Sequence, residues 1–411
     1  MLTQASQARL NGMIQVTFLS SCLPRKCGIA LFSANLSRAL ENYLGQDAIS
    51  FIAMNNNERY NYPPRVMFEV EQEKLEDYFQ VASMLNSSAV DVVSLQHEFG
   101  LFGGPDGNYL KVLLKHLKKP VVTTCHTVLQ DPSPGQKRTF TEIASYSREL
   151  VVMNKLAIDL LTNVYDISLH KIRLIPHGVP EKEYKAPSFY KEQLNLQDRF
   201  LIITFGFISP NKGIENMLNA LPLIVKKHPR VLYMVLGATH PVEKKQNGEN
   251  YRKKLESQVK KMGLSRNVLF IDAFLEDETL DCLVGAADLV VCPYNSEAQI
   301  TSGVLSTALS KGKAIISSPF LHAREALAGG CGSLVDAGDA TALAKETINL
   351  IENRRERTAM SKKAYDLGRL MSWNNVSAAY LEAFADVVKP APALKKKLLE
   401  VKTSISASVS C

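Results

Sequence analysis

The chain has 411 residues, 46% of them hydrophobic and 22% charged, the make-up of a soluble protein with enough material for two hydrophobic cores. No stretch approaches about 18 consecutive apolar residues, which argues against a membrane-spanning helix. The net charge of +7 is mild, no nucleic-acid-binding module is recognisable, and aromatics do not interleave with the basic residues, so nucleic acid is not an expected partner.

The first twelve residues are polar and lack the apolar core of a secretion signal. Seven cysteines, an odd number without a pairing pattern, point to a reducing cytoplasm. Cys22 and Cys27 have no second pair to complete a metal set, and no metal is expected. Part of the basic excess sits at Lys395, Lys396, Lys397 and Lys402. That placement suits either a solvated tail or weak peripheral contact with the inner face of an anionic membrane.

In chain order, β-branched runs at 15–19, 50–53, 90–95, 120–124 and 150–153 predict strands, and amphipathic stretches at 31–44, 109–117 and 155–164 predict helices. The first half closes with 172–176 and the turn His177-Gly178-Val179. A polar passage at 181–198 reads as a linker. The pattern restarts with strands at 200–204, 231–236, 268–271, 289–291 and 314–316, separated by helices at 214–227, 251–262 and 278–285. Helices dominate from 340 to 388. This repeated alternation predicts an α/β protein of two Rossmann-like, doubly wound domains facing across a cleft. The expected divisions are 1–180, the linker 181–198, 199–372, a helix at 373–390 and a basic, frayed tail at 391–411. The 373–390 helix either crosses back to the first domain or extends the second.

Polar loops directly after buried strands are where such sheets meet ligands. In the first half these are the loop with Arg25, Lys26 and Gly28, the segment Gln96-His97-Glu98 with its glycine-rich continuation, and His126. Gly28 permits close backbone approach, and no G-x-G-x-x-G fingerprint is present. His97 and Glu98 either contact a ligand's hydroxyls or cap the next segment, and 130–138 reads as a mobile loop. In the second half the run Gln299 to Gly312 places a polar cluster at a strand end and opens a helix at Ser302-Gly303. Free N–H groups and the helix dipole make that an anion site.

These segments together resemble the retaining GT-B glycosyltransferases of family 4. The resemblance spans roughly residues 14 to 388 and is most specific in the second domain. It rests on Gly206 through Lys212-Gly213, on Gly237 closing a strand, on Gln299 to Gly312, and on Ser318 to Glu325. It implies a nucleotide-diphosphate sugar as substrate, a carbohydrate or glycolipid hydroxyl as acceptor, no cofactor, no metal, and a front-face displacement. It assigns diphosphate to Lys212, Gly213, Thr301, Ser302, Gly303 and Gly28, and donor sugar to His126 and Gln299. Gly206, Gly237, Asn295, Glu297 and Thr307 are implied on the nucleoside or sugar, and His97, Glu98 and Arg25 on the acceptor side.

Two departures stand out. Phe207 occupies the place of an arginine that pairs with the lysine in most members, and a bidentate clamp is thereby lost. Gln299 and Thr307 stand where the family has two glutamates, so the site keeps its anion-binding groups without its usual carboxylates. A sugar phosphorylase or a nucleotide-sugar epimerase on the same fold is the alternative enzyme reading. A non-catalytic binder of sugar nucleotides or carbohydrates is the alternative outside enzymes.

Overall fold

The computed structural model describes residues 14–275 and 277–388. The basic tail at 391–411 lies outside the described residues. Residues 14–178 and 373–388 belong to one compact unit, and 179–372 to another.

The first unit carries a seven-stranded sheet: β1 Val16–Ser20, β2 Ile49–Asn55, β3 Val66–Glu71, β4 Val92–His97, β5 Val121–Cys125, β6 Glu149–Val152 and β7 Ile172–Leu174. The order is β3-β2-β1-β4-β5-β6-β7, with every pairing parallel. Strands β1, β4 and β5 are buried along their whole length, as expected where helices cover both faces. The edge strand β3 escaped the sequence reading because only Val70 in it is fully buried. The order reverses between β1 and β4, which makes the ends of those strands the switch point.

The second unit repeats the plan with β8 Phe200–Phe205, β9 Val231–Leu236, β10 Val268–Ile271, β11 Leu289–Cys292, β12 Ala314–Ser317 and β13 Ser333–Leu334. Their order is β10-β9-β8-β11-β12-β13, again all parallel, so the switch point lies between β8 and β11.

Two expectations need correction. The passage 181–198 is not an open linker: it contains the helix Pro187–Leu194, whose Tyr190 joins the second unit's core. Lys191 Nζ lies 2.5 Å from Asp288 Oδ2 and donates to the Arg199 carbonyl at 2.9 Å. The polar composition concealed this because a lysine supplies the anchor. Likewise 130–138 is loop only at its start. Ser133 and Gln136 form a reciprocal capping box that begins the helix Pro134–Tyr146.

The terminal helix Trp373–Val387 packs into the first unit's core through Val376, Tyr380, Leu381 and Phe384, against Phe18, Phe32 and Leu36. Its Tyr380 hydroxyl shares a hydrogen bond of 2.9 Å with Thr124 Oγ1. Among the described residues no helix is long and apolar enough to cross a membrane.

Asp288 also accepts the Leu201 N–H at 2.7 Å, so one carboxylate ties the 187–194 helix to β8. Asp288→Ala leaves the Lys191 ammonium largely buried and unpaired, and is expected to cost about 3 kcal/mol in denaturant unfolding. A loss below about 0.5 kcal/mol, the range of ordinary surface changes, would refute this anchor.

Candidate functional site

At the second unit's switch point, three strand-end segments stack with almost no space between them. Gly206 ends β8 at φ 100° and Gly237 ends β9 at φ 145°, a region that favours glycine. A Cβ on Gly237 would lie 2.1 Å from the Gly206 carbonyl oxygen, and one on Gly206 would lie 3.0 Å from Val304 Cγ2. Val304 is the second residue of the helix Gly303–Ser310. Ile208 N–H donates to Ala238 O at 2.9 Å and His240 N–H to Ile208 O at 2.8 Å, joining the loops after β8 and β9.

Further along, Gly213 at φ 57° packs against Pro293, and Lys212 is held with its ammonium 4.1 Å from the centre of the Tyr294 ring. Asn295 clamps the loops after β8 and β11. Its Nδ2 donates to Pro210 O at 2.9 Å and Glu215 Oε1 at 3.0 Å, and its Oδ1 accepts from Asn216 at 2.8 Å. An Asn295 committed to this clamp supports the loop that carries Lys212.

No carboxylate pairs with Lys212 among the described residues. Desolvation by burial lowers its pKa to about 8, with Cys292 opposing. The helix Gly303–Ser310 starts at the same strand-end junction, where its Val304 meets Gly206. Ser302 Oγ caps it by accepting the Leu305 N–H at 3.2 Å. The Gly303 and Val304 N–H groups have no hydrogen-bond partner among the described residues. The expected contribution of the Ser302 amide needs correction, because that N–H donates to His322 Nδ1 at 2.9 Å.

The remaining residues flank this point. Gln299 Nε2 donates to its own loop at Thr301 O, 3.0 Å away. Glu297 pairs with Arg324 at 2.5 Å, both exposed. Thr307 lies on the second turn of the helix, half-buried. Phe207 packs its ring against His240 and Phe274, with centroids 5.6 and 5.7 Å apart.

In the first unit, Gly28 opens the helix Gly28–Leu44, is exposed, and would meet nothing within 4 Å on gaining a Cβ. Arg25 is half-buried and donates to the Met54 carbonyl at 2.6 Å. His126 is half-buried, and its Nε2 lies 2.9 Å from Gln96 Oε1. Burial, with His177 and His97 nearby, depresses its pKa to about 3, so it is neutral at physiological pH.

His97 does not face an acceptor. It is 1% exposed and surrounded by Phe99, Phe102 and Phe140 at 5.0, 6.2 and 5.1 Å. An aromatic cage built by its own following loop and by the helix Pro134–Tyr146 draws it into the core. Glu98 takes the capping option, accepting the Phe99 N–H at 3.0 Å and the Thr127 hydroxyl. Burial raises its pKa. Sequence reasoning gave no individual role to Gln96, Tyr294, His240 and His322. Each lies at or just beyond a strand end or loop already singled out, but none has a motif of its own. Among the described residues no three His, Cys, Asp or Glu side chains form a set able to hold a metal ion.

Residues 188–367, the bulk of the second unit, match the family Glycosyl transferases group 1. Among curated proteins the chain is 23% identical over 154 residues to an uncharacterized glycosyltransferase of Methanocaldococcus jannaschii, covering 36% of each chain. It is 23% identical over 214 residues to the phosphatidyl-myo-inositol mannosyltransferase of Mycolicibacterium smegmatis, covering 52% of this chain and 51% of that one. The chain thus spans between a third and about half the length of the curated relatives it matches. Among solved structures, Anabaena HepE in complex with UDP superimposes with a TM-score of 0.72 at 16% identity, over 91% of this chain and 100% of that one. The sucrose-phosphate synthase of Thermosynechococcus elongatus gives a TM-score of 0.72 at 16% identity, over 91% and 98%. The fold is therefore that of the GT-B glycosyltransferases. Within the second unit, it is residues 188–367 that carry the likeness to the group 1 glycosyl transferases.

The caged His97 has a measurable consequence. Desolvation lowers its pKa from 6.5 to about 3, so the unfolded chain binds a proton there that the folded one does not. The associated stability is complete above pH 6.5 and declines by about 1.4 kcal/mol per pH unit as pH falls towards 3. His97→Phe is expected to flatten the slope of unfolding free energy between pH 6 and 4 by about one proton. An unchanged slope would show that His97 is already solvated.

Proposed function

We propose that the protein is a retaining glycosyltransferase that moves a hexosyl unit from a nucleotide-diphosphate sugar to a hydroxyl acceptor without a metal ion. The observation that carries this reading is the Lys212 ammonium, desolvated and without a carboxylate partner among the described residues, in the loop after β8, with two helix N–H groups that also lack a partner starting at the same strand-end junction. A half-buried cation without a counterion is costly alone and stabilising once a diphosphate supplies the charge. HepE, of similar fold, has been solved with UDP and with UDP-glucose, which supports a nucleoside diphosphate as the kind of ligand.

On this reading the second unit holds the donor and the first receives a carbohydrate or glycolipid acceptor. The bond from the anomeric carbon to the diphosphate oxygen breaks while a bond to the acceptor oxygen forms on the same face. The acceptor proton passes to the departing phosphate oxygen, so no enzymic nucleophile is needed. Lys212 and the Gly303 and Val304 N–H groups stabilise the charge that develops on the leaving diphosphate. Gln299 serves the sugar as a neutral hydrogen-bonding group after releasing Thr301 O. Neutral His126 does the same and, being uncharged, adds no repulsion to a developing oxocarbenium ion.

The test is release of nucleoside diphosphate from a panel of sugar nucleotides. Lys212→Met is expected to lower kcat/KM by about 100-fold, a loss on the scale of a charge-assisted hydrogen bond. In the free protein Lys212 is protonated below about pH 8, so kcat/KM should fall above that pH. Lys212→Arg should keep a cation and abolish that alkaline limb. Full turnover by Lys212→Met would remove the site from consideration. Donor binding without turnover across many acceptors would favour the non-catalytic binder, for which the self-bonded Gln299 speaks.

A further inference from the structure

We infer that His322 is the positioning residue that shapes the anion-binding turn before the helix Gly303–Ser310. The inference rests on the donor-site reading above and goes beyond it in naming what aims the site.

His322 grips the turn at both ends. Its own N–H donates to Gln299 O at 3.2 Å, and its Nδ1 accepts the Ser302 N–H at 2.9 Å. The preceding Leu321 N–H donates to Glu297 O at 3.0 Å, so the first turn of the helix Leu321–Leu327 is capped by the same loop. Just upstream, Phe320 is fully buried and stacked 4.9 Å from Tyr294, the ring that lies under Lys212. His322 itself is 4% exposed.

The direction of the Ser302 bond is not ambiguous. A backbone N–H only donates, so Nδ1 carries no proton and the neutral ring keeps its proton on Nε2. Every polar atom of Ser302 is committed: N–H to His322, Oγ to Leu305 N–H, and O to Ser306, whose N–H and hydroxyl both donate to it at 3.1 Å. Ser302 is a fixed corner. The N–H groups of Gly303 and Val304, the next two along the chain, take their direction from it. His322 contacts no reacting atom in this scheme. It acts by holding that corner, and it would compensate in rigidity for the arginine clamp that Phe207 cannot provide.

The experiment compares wild type with His322→Ala, His322→Asn and His322→Gln. Binding of UDP, GDP, ADP and inorganic pyrophosphate is measured by calorimetry, with melting temperatures alongside. The Asn carbonyl oxygen can occupy the position of Nδ1, and the Gln oxygen the position of Nε2. Ala and Gln should weaken binding of the preferred ligand about tenfold, the effect of one lost hydrogen bond, while Asn should restore it to within about threefold. A residue needed only for packing would show no such difference between Asn and Gln. In the ligand-free wild type, nitrogen spectra of labelled histidine should show His322 Nδ1 as an unprotonated acceptor. Protonated Nδ1, unaltered affinity in His322→Ala, or equal failure of Asn and Gln would overturn the inference while leaving the donor site standing. Wild type that binds none of the four ligands would instead overturn the donor-site reading itself.

Discussion

A lysine ammonium withdrawn from water and given no carboxylate is the constraint around which the second unit is arranged. Lys212 sits 4.1 Å from the Tyr294 ring centre, and burial lowers its pKa to about 8. Holding it there takes a backbone that only glycines at 206, 213 and 237 accommodate, because a Cβ at 213 or 237 would meet a carbonyl oxygen at 2.1 Å. It also takes the Asn295–Asn216 clamp and the buried Tyr294–Phe320 stack. These features have a common consequence: the Lys212 ammonium is held at one strand-end junction without a carboxylate partner among the described residues.

Much of the fold was legible because parallel sheets buried on both faces write themselves as unbroken apolar runs, as in β4, β5, β8 and β9. What could not be read departs from that rule. β3 alternates at a sheet edge, and β13 is two residues long. The helix Pro187–Leu194 hides its anchoring contact in a lysine. The capping box at Ser133–Gln136 is a local signal that was present in the sequence and overlooked amid prolines.

The site was legible in a narrower sense. Gly206, Gly213, Gly237 and Lys212 are singled out through the family resemblance, and the structure places them around the strand ends of the second unit. Partner choice does not follow. Nothing in the sequence says that the Ser302 amide belongs to His322, that Glu98 caps a turn, or that His97 is enclosed by three phenylalanines. The Glu98 cap and most of the His97 cage are made by the loop that follows them, whereas the Ser302 bond reaches a helix twenty residues on. The departures at Phe207, Gln299 and Thr307 acquire a physical shape as well. Phe207 makes aromatic contacts with His240 and Phe274, Gln299 bonds within its own loop, and Thr307 lies half-buried on the helix Gly303–Ser310.

The most direct measurement is the melting temperature of the whole chain against UDP, GDP, ADP, their sugars and inorganic phosphate, in wild type and Lys212→Met. A ligand that binds only the folded protein raises the transition by mass action, by about 2.7 kcal/mol at a hundred times its Kd. One nucleoside diphosphate should stabilise the wild type and fail to stabilise Lys212→Met. Silence from every nucleotide, or equal stabilisation of the variant, would contradict a diphosphate site built on Lys212.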